Sequence, residues 1–377
     1  MSTPKKSRRG FLANTLGQGR GRIDESSATN APVTGLGATI PEQQAERTCL
    51  LQIDRRAMAC QFAILLNDGQ YTNGAESALQ ALDLVDTLED QMSVYRESSE
   101  ISQLNRMAAR QPVVVEFRLF ELLQLAMEIY SVSGGAFDIT SAPLSRLWGF
   151  SRRQGELPPE GDIEAVLENV GGHLLELDQK NRTIAFSRFA TEINLGGIGK
   201  GFALDRCQEL LRAEGIEHVL MHGGKSSVMA QGDRWTAEQL PGWKVGVRHP
   251  LRADARLLEI QLHDQALSTS GAATQSFHYQ GKRYGHILDP RNGYPSAGVY
   301  SATVVADSAA VADAFSTAFY VLGHEKSMEY CSLQENMATA IVVPGQHSGW
   351  IDIHTYGFCE EDIKIVQDQS CHFIRHD

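Results

Sequence analysis

The sequence predicts an α+β fold, a single domain of mixed sheets with flanking helices, and three observations predict it. Strand-like and helix-like segments follow one another without a regular βα period, several strand segments are adjacent in the chain, and neither an internal repeat nor a linker-like stretch interrupts residues 48–377. A regular alternation would instead predict a doubly wound parallel sheet. Residues 1–47 are rich in Ser, Thr, Gly, Pro and charge and carry no periodic apolar face, so a disordered tail is expected there.

Residues 61–67 read as a strand. In 76–92, Leu79, Leu82, Val85 and Leu88 recur every three residues, which places them on one face of a helix that Ser93 ends. Residues 117–131 repeat the pattern through Leu119, Leu122, Leu123, Ala126, Ile129 and Tyr130, and Gly134-Gly135 supplies the stop. A short strand is expected at 137–140. Residues 174–177 and 183–186 form a hairpin around Asp178-Gln179-Lys180-Asn181, whose residue types favour turns. Further strands are expected at 218–221, 243–248, 257–262 and 301–305, and helices at 202–214 and 309–322, the last with Asp307 as its N-cap.

A chain of 377 residues with 42% hydrophobic and 21% charged content can bury a full-sized core. Acidic residues outnumber basic ones by 46 to 34, and the net charge of −12 opposes a polyphosphate backbone, so nucleic acid is not an expected partner. The six cysteines, Cys49, Cys60, Cys207, Cys331, Cys359 and Cys371, are widely spaced without a C-x-x-C pair. They predict neither a zinc site nor a disulfide framework, and most are expected in the core. No run is long enough to span a membrane. Ser7-Arg8-Arg9-Gly10-Phe11-Leu12 has the form of a twin-arginine signal start, but Ala13-Asn14-Thr15-Leu16-Gly17-Gln18 stands where its apolar core would follow, which favours the cytoplasm.

Chemistry concentrates in four segments. The first, Ile193-Asn194-Leu195-Gly196-Gly197-Ile198-Gly199-Lys200-Gly201, leads into an amphipathic helix. Glycines allow close backbone approach, a helix start offers free N–H groups, and Lys200 adds a positive charge, so the loop either cradles a phosphate or makes a tight structural turn. It is not a Walker loop, because Asn194 occupies the place of that pattern's first glycine and Gly201 that of its Ser or Thr. In the second segment, Asp313 and Thr317 lie four apart on a helix and present oxygens on one face. Hard divalent cations take such ligands, while the bland alternative is a threonine bonded back to its own helix. The third, residues 286–295, contains His286, a group able to act as a base near neutral pH, and an Asn-Gly turn in which Asp289 and Asn292 read as turn builders. The fourth, residues 134–150, places Asp138 among apolar neighbours, where it needs a ligand or a backbone amide as partner, and brings Trp148 and Phe150 into the core.

Taken in order, these segments resemble the ApbE family of FAD:protein FMN transferases from about residue 58 to about residue 323. The resemblance rests on Met58-Ala59-Cys60, on Met92-Ser93-Val94-Tyr95-Arg96 with Ser102 to Asn105, and on the Gly-Ala-Phe-Asp-Ile-Thr, Asn-Leu-Gly-Gly-Ile-Gly-Lys-Gly, His-Ile-Leu-Asp-Pro and Ala-Asp-Ala-Phe-Ser-Thr segments, with the Gly223-Gly224 hairpin in support. It implies a Mg²⁺ on the pyrophosphate of FAD, held by the Gly197 carbonyl, the Asp313 carboxylate and the Thr317 hydroxyl. It also implies nucleotide contacts by Met58, Tyr95, Ala136, Phe137, Asp138, Asn194, Lys200 and Ile287, with His286 as base and Lys200 as the second catalytic group. The implied reaction moves the FMN half of FAD to a Ser or Thr hydroxyl of an acceptor protein and releases AMP. Two alternatives are an FAD pyrophosphatase, in which water replaces the acceptor, and a non-catalytic FAD-binding protein. The chain departs from the family pattern at Asn194, usually Asp, at Ala59-Cys60, usually Gly-Thr, and at Ala272-Ala273, where an acidic or aromatic pair is common. Family members are often exported, which makes the periplasm the alternative compartment.

Overall fold

The structure, a computed structural model, describes residues 49–236, 241–252, 254–272, 275–366 and 370–376. The expected tail with its twin-arginine-like segment lies outside them, as do Ala273 and Thr274. Nine strands form the central sheet and are numbered along the chain: β1 (Leu50–Ala57), β2 (Cys60–Asn67), β3 (Val219–Gly223), β4 (Ser227–Gln231), β5 (Ala266–Gly271), β6 (Ser301–Ala306), β7 (Met337–Pro344), β8 (Ile351–Tyr356) and β9 (Cys371–Arg375). Their spatial order is the same as their chain order. Each pairs antiparallel with the one before it except β9, which runs parallel to β8 and makes the sheet mixed.

Strand side chains alternate between the faces, and here both faces are covered. On β6 and β7, Val304, Ile341 and Val343 join the larger core, while Val305, Ala340 and Val342 join a second core around Trp243, Leu258 and Ile260. The second core is closed by a small sheet of Trp243–Arg248, Arg256–Leu262 and Ile363–Ile365. On the opposite face lie three helices, α1 (Gly74–Met92), α2 (Gly199–Ala213) and α3 (Ala309–Leu322), of which the last two carry site residues. Helix α3 lies against β5 and β6 and crosses α2. It is buried almost all round, from Ala309 through Ala312, Ala314, Phe315 and Ala318 to Tyr320, and its alanines let backbones approach closely. A satellite core of Leu144, Trp148, Phe150 and Ile163 sits apart, packed against Phe277 and Tyr284 of the hairpin Ser276–Tyr279/Lys282–Gly285.

The α+β expectation holds, and most predicted elements appear within a residue or two of their expected ends. Three readings are corrected. Residues 137–140 form turns rather than a strand, because the Asp138 carboxylate accepts from the Thr140 amide at 2.7 Å and its hydroxyl at 2.6 Å and so curls the chain locally. Asp307 does not cap α3; Ser308 does, accepting from the Val311 amide, while Asp307 accepts from Asn336. Of the cysteines only Cys207 and Cys331 are buried, so most do not lie in the core as expected.

Met58 and Ala59 form the two-residue turn between β1 and β2, with Ala57 paired to Cys60. Both adopt positive φ, 48° and 58°, as a twist-matched hairpin turn requires. A left-handed L-residue costs about 1–2 kcal/mol, and glycine's extra chain entropy returns about 0.5–1 kcal/mol of any relief. Ala59→Gly is therefore expected to stabilise the protein by about 0.5–1 kcal/mol. A urea midpoint that stays put or falls would show that the turn carries no such strain.

Candidate functional site

The site grows from one buried carboxylate. Asp313, 4% exposed, sits one turn into α3 and faces β4, β5 and the start of α2. Its Oδ1 accepts from the hydroxyls of Ser227 at 3.1 Å and Ser268 at 3.0 Å. Its Oδ2 accepts from the Gly201 amide at 3.3 Å and from the Lys200 ammonium at 3.4 Å. A carboxylate this deep is tolerable because its lone pairs are met by donors and a cation. The Gly201 amide belongs to the first turn of α2, which begins at Gly199 rather than at the expected residue 202. The negative charge held by this helix start is thus Asp313 itself, a favourable placement at the positive end of the helix dipole.

The glycine loop is fixed from two sides. Asn105 donates to the Ile193 carbonyl at 2.9 Å and accepts from the Ile193 amide at 2.8 Å, imitating a strand partner. The Asn194 amide donates to the Ile139 carbonyl at 2.8 Å, which stitches the loop to the segment carrying Ala136, Phe137 and Asp138. The Asn194 side chain turns back and accepts from the Gly196 amide at 2.8 Å. A Cβ at Gly197 would lie 3.2 Å from the Phe137 ring and 3.6 Å from the Thr317 hydroxyl, so the loop backbone and α3 meet there. Thr317 shares a 3.1 Å contact with Ser270, and its back-bond to the Asp313 carbonyl is long at 3.5 Å. Asp138 takes the backbone-amide option, and burial nonetheless pushes its pKa above the usual carboxylate range, against the Thr140 bonds that lower it.

His286 follows the aromatic hairpin, with Nδ1 3.1 Å from the Gln275 carbonyl. A carbonyl can only accept, so Nδ1 carries the proton of the neutral ring and Nε2 keeps its lone pair. Burial pushes the pKa below the ordinary value; the Gln275 carbonyl opposes this and the nearby Lys200 charge adds to it. Ile287 beside it is buried at 9% exposure.

Of the predicted residues, Gly197, Lys200, Asp313 and Thr317 converge, with Asn194, Phe137 and Asp138 tied to them through the loop and His286 close enough to Lys200 to feel its charge. Ala136 is buried beside Phe137. Met58 lies half-buried in the hairpin turn next to Cys60, whose thiol is pushed up by burial and also feels Lys200 and Asp313. Tyr95 is the outlier, with its residue 80% exposed. The sequence reading missed Ser227, Ser268 and Ser270; Ser268 and Ser270 alternate along one face of β5, but Thr269 and Gly271 stand beside them, so no apolar pattern singles them out. Asp205 was also missed.

The oxygens gathered here suit a hard cation: one carboxylate, one hydroxyl and the carbonyls of a glycine turn. Among the described residues no cluster of three or more His, Cys, Asp or Glu is arranged to hold a metal ion, so a cation here would depend on neutral oxygens and on a ligand's phosphates as well. No described helix is long and apolar enough to cross a membrane.

Fold and site together define an α+β protein in which the start of a glycine-led helix meets a buried carboxylate. The sequence profile of the ApbE family matches residues 58–342, and the chain belongs to that family. The FAD:protein FMN transferase of Klebsiella pneumoniae (strain 342) is 30% identical over 275 residues, covering 72% of this chain and 84% of that one. The FAD:protein FMN transferase of Treponema pallidum (strain Nichols) is 31% identical over 248 residues, covering 63% and 68%. The crystal structure of the ApbE protein of Thermotoga maritima MSB8 superposes with a TM-score of 0.70 at 29% identity, over 78% of this chain and 94% of that one.

The His286 environment makes a direct prediction. Its imidazole should titrate with a midpoint below the ordinary value of about 6.5, so the neutral form prevails at pH 7. Following the ring resonances by NMR from pH 4 to 8 checks this, and a midpoint above 6.5 would contradict the burial described.

Proposed function

We propose that the chain transfers the FMN moiety of FAD to a Ser or Thr hydroxyl of an acceptor protein, in a Mg²⁺-dependent reaction that releases AMP. The observation that carries this reading is that Lys200, the Gly197 turn, Asp313 and Thr317 come together, with His286, whose tautomer leaves Nε2 open, close enough to feel Lys200. The transferase names of the relatives support the flavin substrate and a protein acceptor.

In this reading the Gly197 carbonyl, the Asp313 carboxylate and the Thr317 hydroxyl would hold Mg²⁺. When bound, the ion neutralises charge on the pyrophosphate and makes its phosphorus easier to attack. Ser227 and Ser268 grip Oδ1 of Asp313 and so orient the carboxylate, which would leave Oδ2 for the ion. Lys200, already within 3.4 Å of Asp313, turns toward the phosphate oxygens and offsets the charge that develops on them. His286 takes the proton of the acceptor hydroxyl at Nε2, which its tautomer leaves open. The acceptor oxygen then bonds to the FMN phosphorus as the bridging P–O bond breaks, and AMP leaves with that bond's electron pair. Activity should therefore fall as pH drops through the depressed His286 midpoint, since the protonated ring cannot accept.

The decisive assay combines the protein with FAD, Mg²⁺ and a candidate acceptor, followed by mass spectrometry of the acceptor. An FMN adduct on Ser or Thr with equimolar AMP is expected. Free FMN and AMP without adduct would replace the reading with an FAD pyrophosphatase, and unchanged FAD would reduce it to an FAD-binding protein. Asp313→Ala is expected to lower turnover by more than about 10²-fold while the protein stays folded. Wild-type turnover in that variant would remove the cation assignment.

A further inference from the structure

Helices α2 and α3 each place an aspartate on the start of the other. The backbones meet where a Cβ on Gly201 would come within 2.0 Å of the Ala309 carbonyl oxygen. Four residues after Ala309, Asp313 accepts from the Gly201 amide. Four residues after Gly201, Asp205 returns the arrangement: its Oδ1 accepts from the Ala309 amide at 2.7 Å, and its Oδ2 from the Ala310 amide at 3.0 Å and the Ser308 hydroxyl at 2.7 Å. The first amides of a helix have no partner within it, and a carboxylate there satisfies them and favours the dipole. At α3 that partner comes from a different helix, 104 residues away in the chain. The Ser308 hydroxyl accepts from Val311 while donating to Asp205, so four polar contacts clamp the α3 start.

We propose that Asp205 is a positioning residue for the reaction described above, on which this inference rests. Asp205 touches neither substrate nor cation. Through the start of α3 it fixes the height and rotation of that helix against α2, and therefore where Asp313 and Thr317 stand relative to Gly197 and Lys200. Lys200 and Asp313 sit about one turn or less from the Gly201–Ala309 crossing and Thr317 one turn beyond Asp313, so a slip of α3 along α2 moves the carboxylate and hydroxyl away from the glycine turn. Misplacement of about 1 Å is enough to cost about 10²-fold in rate.

The test uses the full chain with Asp205→Ala, Asp205→Glu and Asp205→Asn, and Glu116→Ala as a control. Glu116, an exposed residue outside the site described, caps the helix Phe117–Val132 by accepting from the amides of Arg118 and Leu119. Three quantities are read: the thermal midpoint, Mn²⁺ binding followed by electron paramagnetic resonance in the absence of turnover, and kcat against KM for FAD. Asp205→Ala is expected to weaken Mn²⁺ binding about tenfold or more and to lower kcat by about 10²-fold with a smaller change in KM. Asp205→Asn keeps the shape but only one acceptor oxygen, and its NH2 faces a donor of the α3 start, so both should stay impaired. Glu116→Ala should lower the midpoint yet leave Mn²⁺ binding and kcat as in the wild type. Wild-type binding and kcat in a folded Asp205→Ala overturn the inference, and so do wild-type values in Asp205→Asn, because losing one of the two gripped oxygens would then leave α3 where it stands. Should Asp205→Ala not fold, Asp205→Glu decides: it keeps the charge but shifts the cap by a methylene, and wild-type kcat and Mn²⁺ affinity in it overturn the inference. A wild type that neither binds Mn²⁺ nor consumes FAD removes the proposed function instead.

Discussion

The structure turns on a carboxylate held at the positive end of a helix to which it does not belong. Asp313 is buried, and a buried charge is tolerated only where it is paired and hydrogen-bonded. Four donors from three elements supply that: Ser227 of β4, Ser268 of β5, and Lys200 and Gly201 of α2. The two oxygens are held unequally. Oδ1 is saturated by hydroxyls at ordinary distances, whereas Oδ2 has only contacts of 3.3 and 3.4 Å, the latter to a flexible ammonium that can move. The exchangeable side of the carboxylate is therefore the one that faces the glycine loop.

Much of the fold was legible because its elements obey local rules. Helix 117–132 shows its apolar stripe, and β6 and β7 are apolar on both faces because both faces are covered. The turn at 137–140 was not legible as such. Phe137-Asp138-Ile139-Thr140 has the apolar alternation of a strand, and only the side-chain bond from Asp138 to Thr140 decides otherwise. Likewise Asp307 and Ser308 are both good caps by type, and the choice fell to Ser308 because Asp205 arrives from another helix to bond it. A tertiary partner of that kind leaves no trace in local spacing. The groups of the site were legible one by one, but not the serines that orient Asp313, which read as ordinary strand hydroxyls until β4, β5 and α3 are brought together.

Asn194 shows which part of a substitution geometry absorbs. Its side-chain oxygen accepts from the Gly196 amide, the bond that shapes the turn into Gly197. An aspartate would accept the same bond, so the loop conformation does not depend on which of the two stands there. What differs is one negative charge near Lys200. In the proposed reading its loss would lower repulsion toward phosphates and at the same time remove attraction for a cation, effects of opposite sign on the two ligands. Cys60 is a parallel case: burial keeps it a thiol, so it contributes volume and no charge beside Lys200 and Asp313.

The orientation of His286 has a different origin from that of Asp313. It is set by the Gln275 carbonyl, and Gln275 is itself anchored by donating from its side chain to the Phe150 carbonyl at 2.7 Å. Phe150 belongs to the satellite core, where Phe277 and Tyr284 stack at 5.2 Å and Trp148 donates from its indole nitrogen to the Gly293 carbonyl at 2.8 Å. Trp148, with no exposed surface, thus braces both the hairpin that precedes His286 and the turn that follows it. The carboxylate side of the site is built on the central sheet and the crossing of α2 and α3, while the imidazole side is built on this smaller core. Two separately braced halves meet at Lys200, which bonds Asp313 and also lowers the affinity of His286 for a proton. The lysine therefore links the two electrostatically, and neutralising it would both loosen Asp313 and make the imidazole more basic.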